Sequence, residues 1–208
     1  MSTTKDKSTS PDTLDQRTSS RPGRTIALFA SGVEKETLRF SGYEVDSVCR
    51  VLSEYYDTMK YGGSTCGIMY EVAAAFSKLG RDIISIYPTW LDECGYVAEF
   101  ERVQKIEVND LHQRKNLLLQ DIDCILCYPG GIGTLDELVT FLARAAVKED
   151  LREIPVLLYN FDGIFNPFRL MLETFEVYGF AAATYAKLHY FSTTDQLRQI
   201  LEQEYQNT

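Results

Sequence analysis

The segment "YPGGIGTLDEL", residues 128–138, places a carboxylate, Glu137, just behind Thr134 and three closely spaced glycines, Gly130, Gly131 and Gly133. A glycine-rich turn opening into a helix suits an anion. Glycine reaches backbone angles closed to other residues and lets a ligand approach the main chain, while the helix contributes unpaired N–H groups and its positive dipole end. A carboxylate beside such a site can stabilise developing positive charge or orient a water molecule. Upstream, "LHQRK" (111–115) offers Arg114 and Lys115 as positive charges, and a second glycine-rich turn, "YGGSTCGIM" (61–69), offers Gly63, Ser64, Thr65 and Met69. Each feature has a plainer reading. Thr134 and Glu137 stand in the T-x-x-E order of a capping box for a helix starting near Thr134, and spacing alone favours that cap. By spacing alone Arg114 and Lys115 are a solvated helix face. Neither turn matches G-x-G-x-x-G or G-x-x-x-x-G-K-[ST], which argues against a bound dinucleotide or hydrolysed ATP.

The elements that must position these residues alternate along the chain. Strands are predicted at "TIALFA" (25–30), "DTMKY" (57–61, followed by a turn), "DIISIYP" (82–88), "ERVQKIEV" (101–108), "DCILCYP" (123–129) and "IPVLLYN" (154–160). Helices are predicted at 43–56, at 67–80 with Gly80 as its C-terminal stop, and at 109–120 with Asn109 or Asp110 as its cap. Further helices are predicted at 133–147, at 166–179 with proline at its first position, and at 195–206. Near-continuous apolar strands alternating with helices imply an α/β, Rossmann-like three-layer domain: a mostly parallel sheet with helices on both faces. Ligands in such folds gather outside the carboxyl ends of the strands, where both glycine-rich turns fall.

The 208-residue chain suits one domain, 25–208, behind a tail, 1–24, whose Ser, Thr, charge and proline composition predicts disorder. That tail lacks the apolar core of a secretory signal, and no stretch approaches the roughly 18 apolar residues of a membrane span, so a cytoplasmic protein without a membrane partner is expected. The net charge of −9 leaves no basic footprint for nucleic acid. Any bound phosphate is then expected on a small molecule. Five scattered cysteines suit reduced thiols, and Cys124 and Cys127, three apart on a predicted strand, point to opposite faces and cannot share a metal. No metal site is expected.

Four co-linear motifs carry a resemblance. "PGGIGTLDE" matches the P-G-G-x-G-T-x-x-E motif of the Lonely Guy (LOG) family, the cytokinin riboside 5′-monophosphate phosphoribohydrolases formerly labelled lysine decarboxylases. "LHQRK" is similar to its M-x-x-R-K helix, "YGGSTCGIM" to its Y-G-G-G-S-x-G-L-M turn, and "NFDGIFNPF" (160–168) to its N-x-D-G-Y-Y segment. The resemblance spans about residues 25–205. It implies Arg114 and Glu137 as the catalytic pair, with Gly130, Gly131, Gly133 and Thr134 holding a 5′-phosphate and Lys115, Gly63, Ser64, Thr65 and Met69 lining the substrate site. It also implies hydrolysis of the N-glycosidic bond of a nucleoside 5′-monophosphate, such as N6-modified AMP or AMP, to free base and ribose 5-phosphate. No metal or organic cofactor is implied, and a homodimer or higher homo-oligomer completes the site. On this reading the first-turn position of Glu137 favours its ionised form.

The chain departs from the family at Ser64, Thr65 and bulky Tyr70, and "FASGV" (29–33) replaces its F-C-G-S-S, leaving contacts from Ser31 and Gly32 open. "YPTWLDECGYVAEF" (87–100) reads either as a base-stacking wall or as a surface flap or subunit contact. The alternatives to be separated are a non-catalytic nucleotide-binding or sensing protein on the same fold, and a phosphoribohydrolase for another nucleotide such as CMP. Nothing suggests the pyridoxal phosphate site a lysine decarboxylase would need.

Overall fold

The computed structural model describes residues 23–34, 43–180 and 187–206, with the side chains of 149 and 150 excepted. Residues 1–22 of the predicted tail lie outside the described residues. Gly23 and Arg24 are already part of the body: the Arg24 carbonyl accepts from the backbone N–H groups of Asp57 and Thr58, and its guanidinium lies 4.0 Å over the Tyr205 ring.

Among the described residues seven strands form one parallel sheet: β1 (Thr25–Phe29), β2 (Thr58–Tyr61), β3 (Asp82–Pro88), β4 (Val103–Val108), β5 (Cys124–Cys127), β6 (Pro155–Tyr159) and β7 (Lys187–Phe191). Their order is β4-β3-β2-β1-β5-β6-β7. The chain winds outward one way from β1 to β4, then returns and winds the other way from β5. The switch point therefore lies between β1 and β5, paired in register from Ile26 with Cys124 to Phe29 with Cys127. Loops leaving the carboxyl ends of these two strands diverge there and open a crevice.

Both faces of the sheet are covered because its central strands are apolar on both sides. Ile26, Leu28, Cys124, Leu126, Leu157 and Tyr159 face α1 (Asp46–Leu52), α2 (Gly67–Lys78) and α8 (Thr194–Tyr205). Ala27, Phe29, Ile125, Cys127, Val156 and Leu158 face α4 (Leu111–Leu118), α5 (Ile132–Val147), α6 (Glu149–Arg152) and α7 (Asn166–Val177). Cys124 and Cys127 thus lie on opposite sides of the sheet, too far round to share a ligand. A short helix, α3 (Thr89–Glu93), follows β3. No helix among the described residues is long and apolar enough to cross a membrane.

Several local expectations hold for their stated reasons. Gly80 follows the α2 C-cap at φ +74°, and the Asp110 carboxylate accepts the Gln113 N–H at 2.8 Å to cap α4. Pro167 falls one residue after the first of α7. The helix predicted at 43–56 is shorter, ending at Leu52 in turns. Strand β7 was not foreseen: "KLHYF" is an edge strand carrying Lys187 and His189, half-exposed, and shows no clean apolar run.

Candidate active site

Three loops and one helix meet at the switch point. The loop after β1 bonds to the loop after β5, Ser31 N–H to Pro129 C=O at 3.3 Å, and to the start of α2, Met69 N–H to Ser31 C=O at 2.9 Å. Between them lies a cleft of about 300 Å³ lined by Ala30, Ser31, Gly32 and Val33, by Met69 and Arg114, and by Gly131, Ile132, Gly133, Thr134 and Glu137. It sits at the carboxyl ends of the strands.

The N-terminus of α5 forms one wall. Gly131 is the N-cap and provides no side-chain acceptor, and the first intrahelical bond runs from Leu135 N–H to Gly131 C=O at 3.1 Å. The N–H groups of Ile132, Gly133 and Thr134 are thereby left without helical partners at the cleft, with the positive end of a 16-residue helix behind them. The glycines act through space rather than through unusual dihedrals. Neither Gly130, Gly131 nor Gly133 has a positive φ, contrary to the expectation of backbone angles reserved for glycine. A Cβ on Gly130 would collide with the Thr134 hydroxyl, whereas one on Gly131 or Gly133 would meet no protein atom within 4 Å and would project into open space.

Glu137 is not a helix cap. Because α5 begins at Ile132, Thr134 and Glu137 both lie inside it and the T-x-x-E spacing does not make a capping box. Glu137 sits in the second turn, 6% exposed, where its Oε1 accepts from Arg114 Nη1 at 2.9 Å. The Arg114 Nε donates to the Ile86 carbonyl at 3.1 Å, so the guanidinium spans from the end of β3 to α5. Burial pushes the Glu137 carboxyl up from its ordinary value, and the charge and hydrogen bond of Arg114 oppose that rise. The expected stabilisation of the ionised form by the first helical turn is thus replaced by a contest between burial and Arg114, in which burial is the larger effect.

The turn after β2 supports this pair from behind. A Cβ on Gly62 would fall on the Arg114 guanidinium and lie 3.0 Å from Met69 Sδ, so only glycine leaves room for Arg114 here. Gly62 was not singled out from the sequence, although the paired glycines at 62 and 63 were the available signal. Gly63, at φ +82°, packs against Tyr87, and Gly67, at φ +72°, against the Ser31 and Val33 carbonyls.

Of the residues implied by resemblance, Arg114, Glu137, Gly131, Gly133, Thr134 and Met69 line the cleft, and Gly130 packs beneath it. Gly63, Ser64, Thr65 and Lys115 do not line it. The Ser64 hydroxyl accepts from Cys66 N–H at 3.0 Å, Thr65 N–H bonds to the Tyr96 carbonyl at 3.0 Å, and the Lys115 amine is held by Asp136 and Thr140. Tyr70 stacks on Phe100 at 6.0 Å, away from the cleft, so its bulk does not narrow the site. The 87–100 segment folds back as a strap over the β2 turn, with Ala98 N–H on the Gly63 carbonyl, and none of its aromatics lines the cleft. Among the described residues no group of three or more His, Cys, Asp or Glu side chains is placed to hold a metal.

Residues 67–203 match the family model described as "possible lysine decarboxylase". A probable cytokinin riboside 5′-monophosphate phosphoribohydrolase of Oryza sativa subsp. japonica is 30% identical over 70% of this chain and 61% of its own length. Two Arabidopsis thaliana proteins named cytokinin riboside 5′-monophosphate phosphoribohydrolase are also similar. One is 35% identical over 51% of this chain and 45% of its own length, the other 30% over 77% and 73%. The chain thus matches less than two thirds of the length of the first two relatives. In three dimensions it is similar to the molybdenum cofactor carrier protein of Chlamydomonas reinhardtii, with a TM-score of 0.59, 15% identity and coverage of 88% and 98%. A structural-genomics target gives a TM-score of 0.62 with 18% identity, covering 86% and 99%. These likenesses show the fold.

Proposed function

The chain belongs to the LOG family, the family described as possible lysine decarboxylase, and from that membership we propose that it is a nucleoside 5′-monophosphate phosphoribohydrolase acting on AMP or an N6-modified AMP. The observation that carries this reading is the buried Glu137–Arg114 pair in the same cleft as the open N-terminus of α5. The 5′-phosphate is placed against the free N–H groups of Ile132, Gly133 and Thr134. Cleavage of the bond from C1′ to the base nitrogen builds positive charge on the ribose, which the Glu137 carboxylate stabilises while orienting the attacking water. The water oxygen bonds to C1′, the electron pair of the broken bond leaves with the base, and a water proton completes it. Arg114 keeps Glu137 ionised against its burial and supplies positive charge for the departing base or the phosphate. The chain's own cleft accounts for these steps without a metal or organic cofactor being assigned a role.

The proposal includes a cytoplasmic homodimer or higher homo-oligomer. Ile132, at the cleft rim and 81% exposed, shares a helix face with Val139, which with Leu142, Met171 and Phe175 borders an apolar hollow of about 180 Å³ between α5 and α7. A second copy on this face would reach the mouth of the cleft. Sedimentation of the purified chain tests this, a monomer at micromolar concentration counting against it.

The activity is tested by incubating the protein with AMP, N6-isopentenyl-AMP, CMP and other nucleoside monophosphates and following free base and ribose 5-phosphate. Turnover of an adenine nucleotide is expected, and Glu137→Gln should abolish it with the fold intact. Binding without turnover across the panel would instead identify a sensing protein, and a fully active Glu137→Gln would remove Glu137 from the reaction.

A further inference from the structure

Arg114 reaches Glu137 from a helix with little apolar anchorage. In α4 only Leu118 is fully buried, Leu117 packs partly buried against the same core, and the other restraints are polar. At its C-terminal end Lys60 donates to the Leu117 carbonyl at 3.4 Å and to the Gln120 carbonyl at 2.5 Å, and Arg144 donates to Asn116. Besides this Arg144–Asn116 crossing, α4 crosses to α5 at Arg114 and again at Lys115. The Lys115 amine lies 3.0 and 2.9 Å from the two Asp136 oxygens and 3.3 Å from the Thr140 hydroxyl, which itself donates to the Asp136 carbonyl at 2.6 Å.

Two successive residues of α4, Arg114 and Lys115, thus grip two successive residues of α5, Glu137 and Asp136. Neighbouring residues on a helix diverge by roughly 100°, so the two bonds leave each helix in different directions. With Arg144 and Lys60 holding the C-terminal end, the Arg114 bond alone sets a distance for the preceding turn and fixes its roll about the helix axis less tightly. The second fixes the roll, and with it the point to which the guanidinium is delivered. We propose that Lys115 and Asp136 are positioning residues, a clamp that sets the rotation of α4 so that Arg114 meets Glu137 in register. The proposal rests on the phosphoribohydrolase reading for its kinetic consequences and on the two crossings for its geometry. It gives Lys115 a task other than touching substrate. A misplacement of about 1 Å in a catalytic group costs on the order of 100-fold in rate, which is the leverage of such a clamp. The pair's stability is a poor measure of its importance: Asp136 is more than half exposed, and an ion pair of that kind adds little to folding.

The clamp also bears on the charge of Glu137, which Asp136 disfavours and Lys115 favours. Breaking it from either side should slow turnover alike but move the acid limb of the rate profile in opposite directions, a signature that loss of helix stability alone does not produce.

The experiment compares the 208-residue chain with Lys115→Met, Asp136→Asn and the charge-exchanged double variant Lys115→Asp/Asp136→Lys. Steady-state kinetics on the best nucleotide of the panel and hydrogen exchange at the α4 amides are measured for each. Each single variant is expected to lose about tenfold or more in kcat with KM within a factor of about three, and to exchange faster across residues 114–118. The acid limb should rise for Lys115→Met and fall for Asp136→Asn, and the double variant should recover most of the kcat and the protection. A higher KM at unchanged kcat for Lys115→Met would make Lys115 a substrate contact and overturn the clamp. Single variants that match the parent in both rate and exchange would overturn it too. If the parent protein turns over no nucleotide, the functional reading fails by itself, and exchange at α4 still decides the clamp: unchanged protection in both single variants refutes it.

Discussion

The turns after β2 and β5 are both glycine-rich, and apart from Gly130, which is pressed against Thr134, their glycines are required for opposite reasons. After β2, Gly63 and Gly67 adopt positive φ, and Gly62, Gly63 and Gly67 are all pressed against neighbours: Arg114, Tyr87 and the carbonyls of the β1 loop. These residues are glycine because the protein itself fills the space a side chain would take. After β5, Gly131 and Gly133 line the cleft without positive φ and leave open space where a Cβ would stand. The first turn builds the site and the second leaves it open. A glycine-rich motif therefore signals a function only after its glycines have been separated by what stands opposite them.

Adding one methyl group at each position breaks this comparison where it is weakest. The largest effect is expected from Gly62→Ala. Its Cβ displaces the Arg114 guanidinium and strands the buried Glu137 carboxylate, so turnover should fall on the order of 100-fold or more. Stability should drop by about 3 kcal/mol, as for other buried pairs that lose one partner, read by urea denaturation. Gly67→Ala comes next. A Cβ at φ +72° and within 2.5 Å of the Ser31 carbonyl should cost about 2 kcal/mol, seen as a lower denaturation midpoint, without acting on the chemistry directly. Gly133→Ala should move the two readouts in opposite senses. It sits inside α5, so the helix gains up to about 1 kcal/mol in propensity, while affinity for inorganic phosphate, followed by competition with the nucleotide, weakens about tenfold. A Gly133→Ala variant that destabilises the fold would mean that this turn is packed like the other.

The smallest expected effect is one of pH. Burial raises the Glu137 carboxyl above its ordinary value, so a rate that needs the carboxylate falls, as pH is lowered, at a higher pH than an exposed glutamate would allow. The sign for stability is the reverse. A folded state that binds this proton more tightly than the unfolded chain is favoured below the ordinary carboxyl value and loses that advantage as pH rises through the folded value. Glu137→Gln lacks this loss, so the parent should lose stability relative to the variant as pH rises across that window. A parent that gains on the variant as pH rises would show that Arg114 outweighs burial.

The α/β alternation was legible because β1, β5 and β6 are short apolar runs that need cover on both faces, and because Gly80 and Asp110 mark helix ends by their own chemistry. Strand β7 escaped because an edge strand mixes Lys187 and His189 with aromatics, and its pairing to β6 supplies what its sequence lacks. The start of α5 reads late, at 133 or near Thr134 rather than at Ile132, because its N-cap is a glycine, which leaves no side-chain signal, and this alone makes Glu137 look like a cap.

By itself the sequence determined which residues carry charge, where apolar runs demand burial, and that the motifs occur in the order found in the LOG family. Those properties are local or co-linear, and each can be read within a few turns of chain. Only the tertiary structure decided that Arg114 meets Glu137, that Lys115 turns to Asp136, and that Gly62 rather than Gly63 makes room for the guanidinium. These contacts join β2, α4 and α5, elements far apart in the chain, and they exist because a parallel sheet reversing its winding between β1 and β5 gathers its carboxyl-end loops at one crevice. No spacing within one segment encodes that meeting.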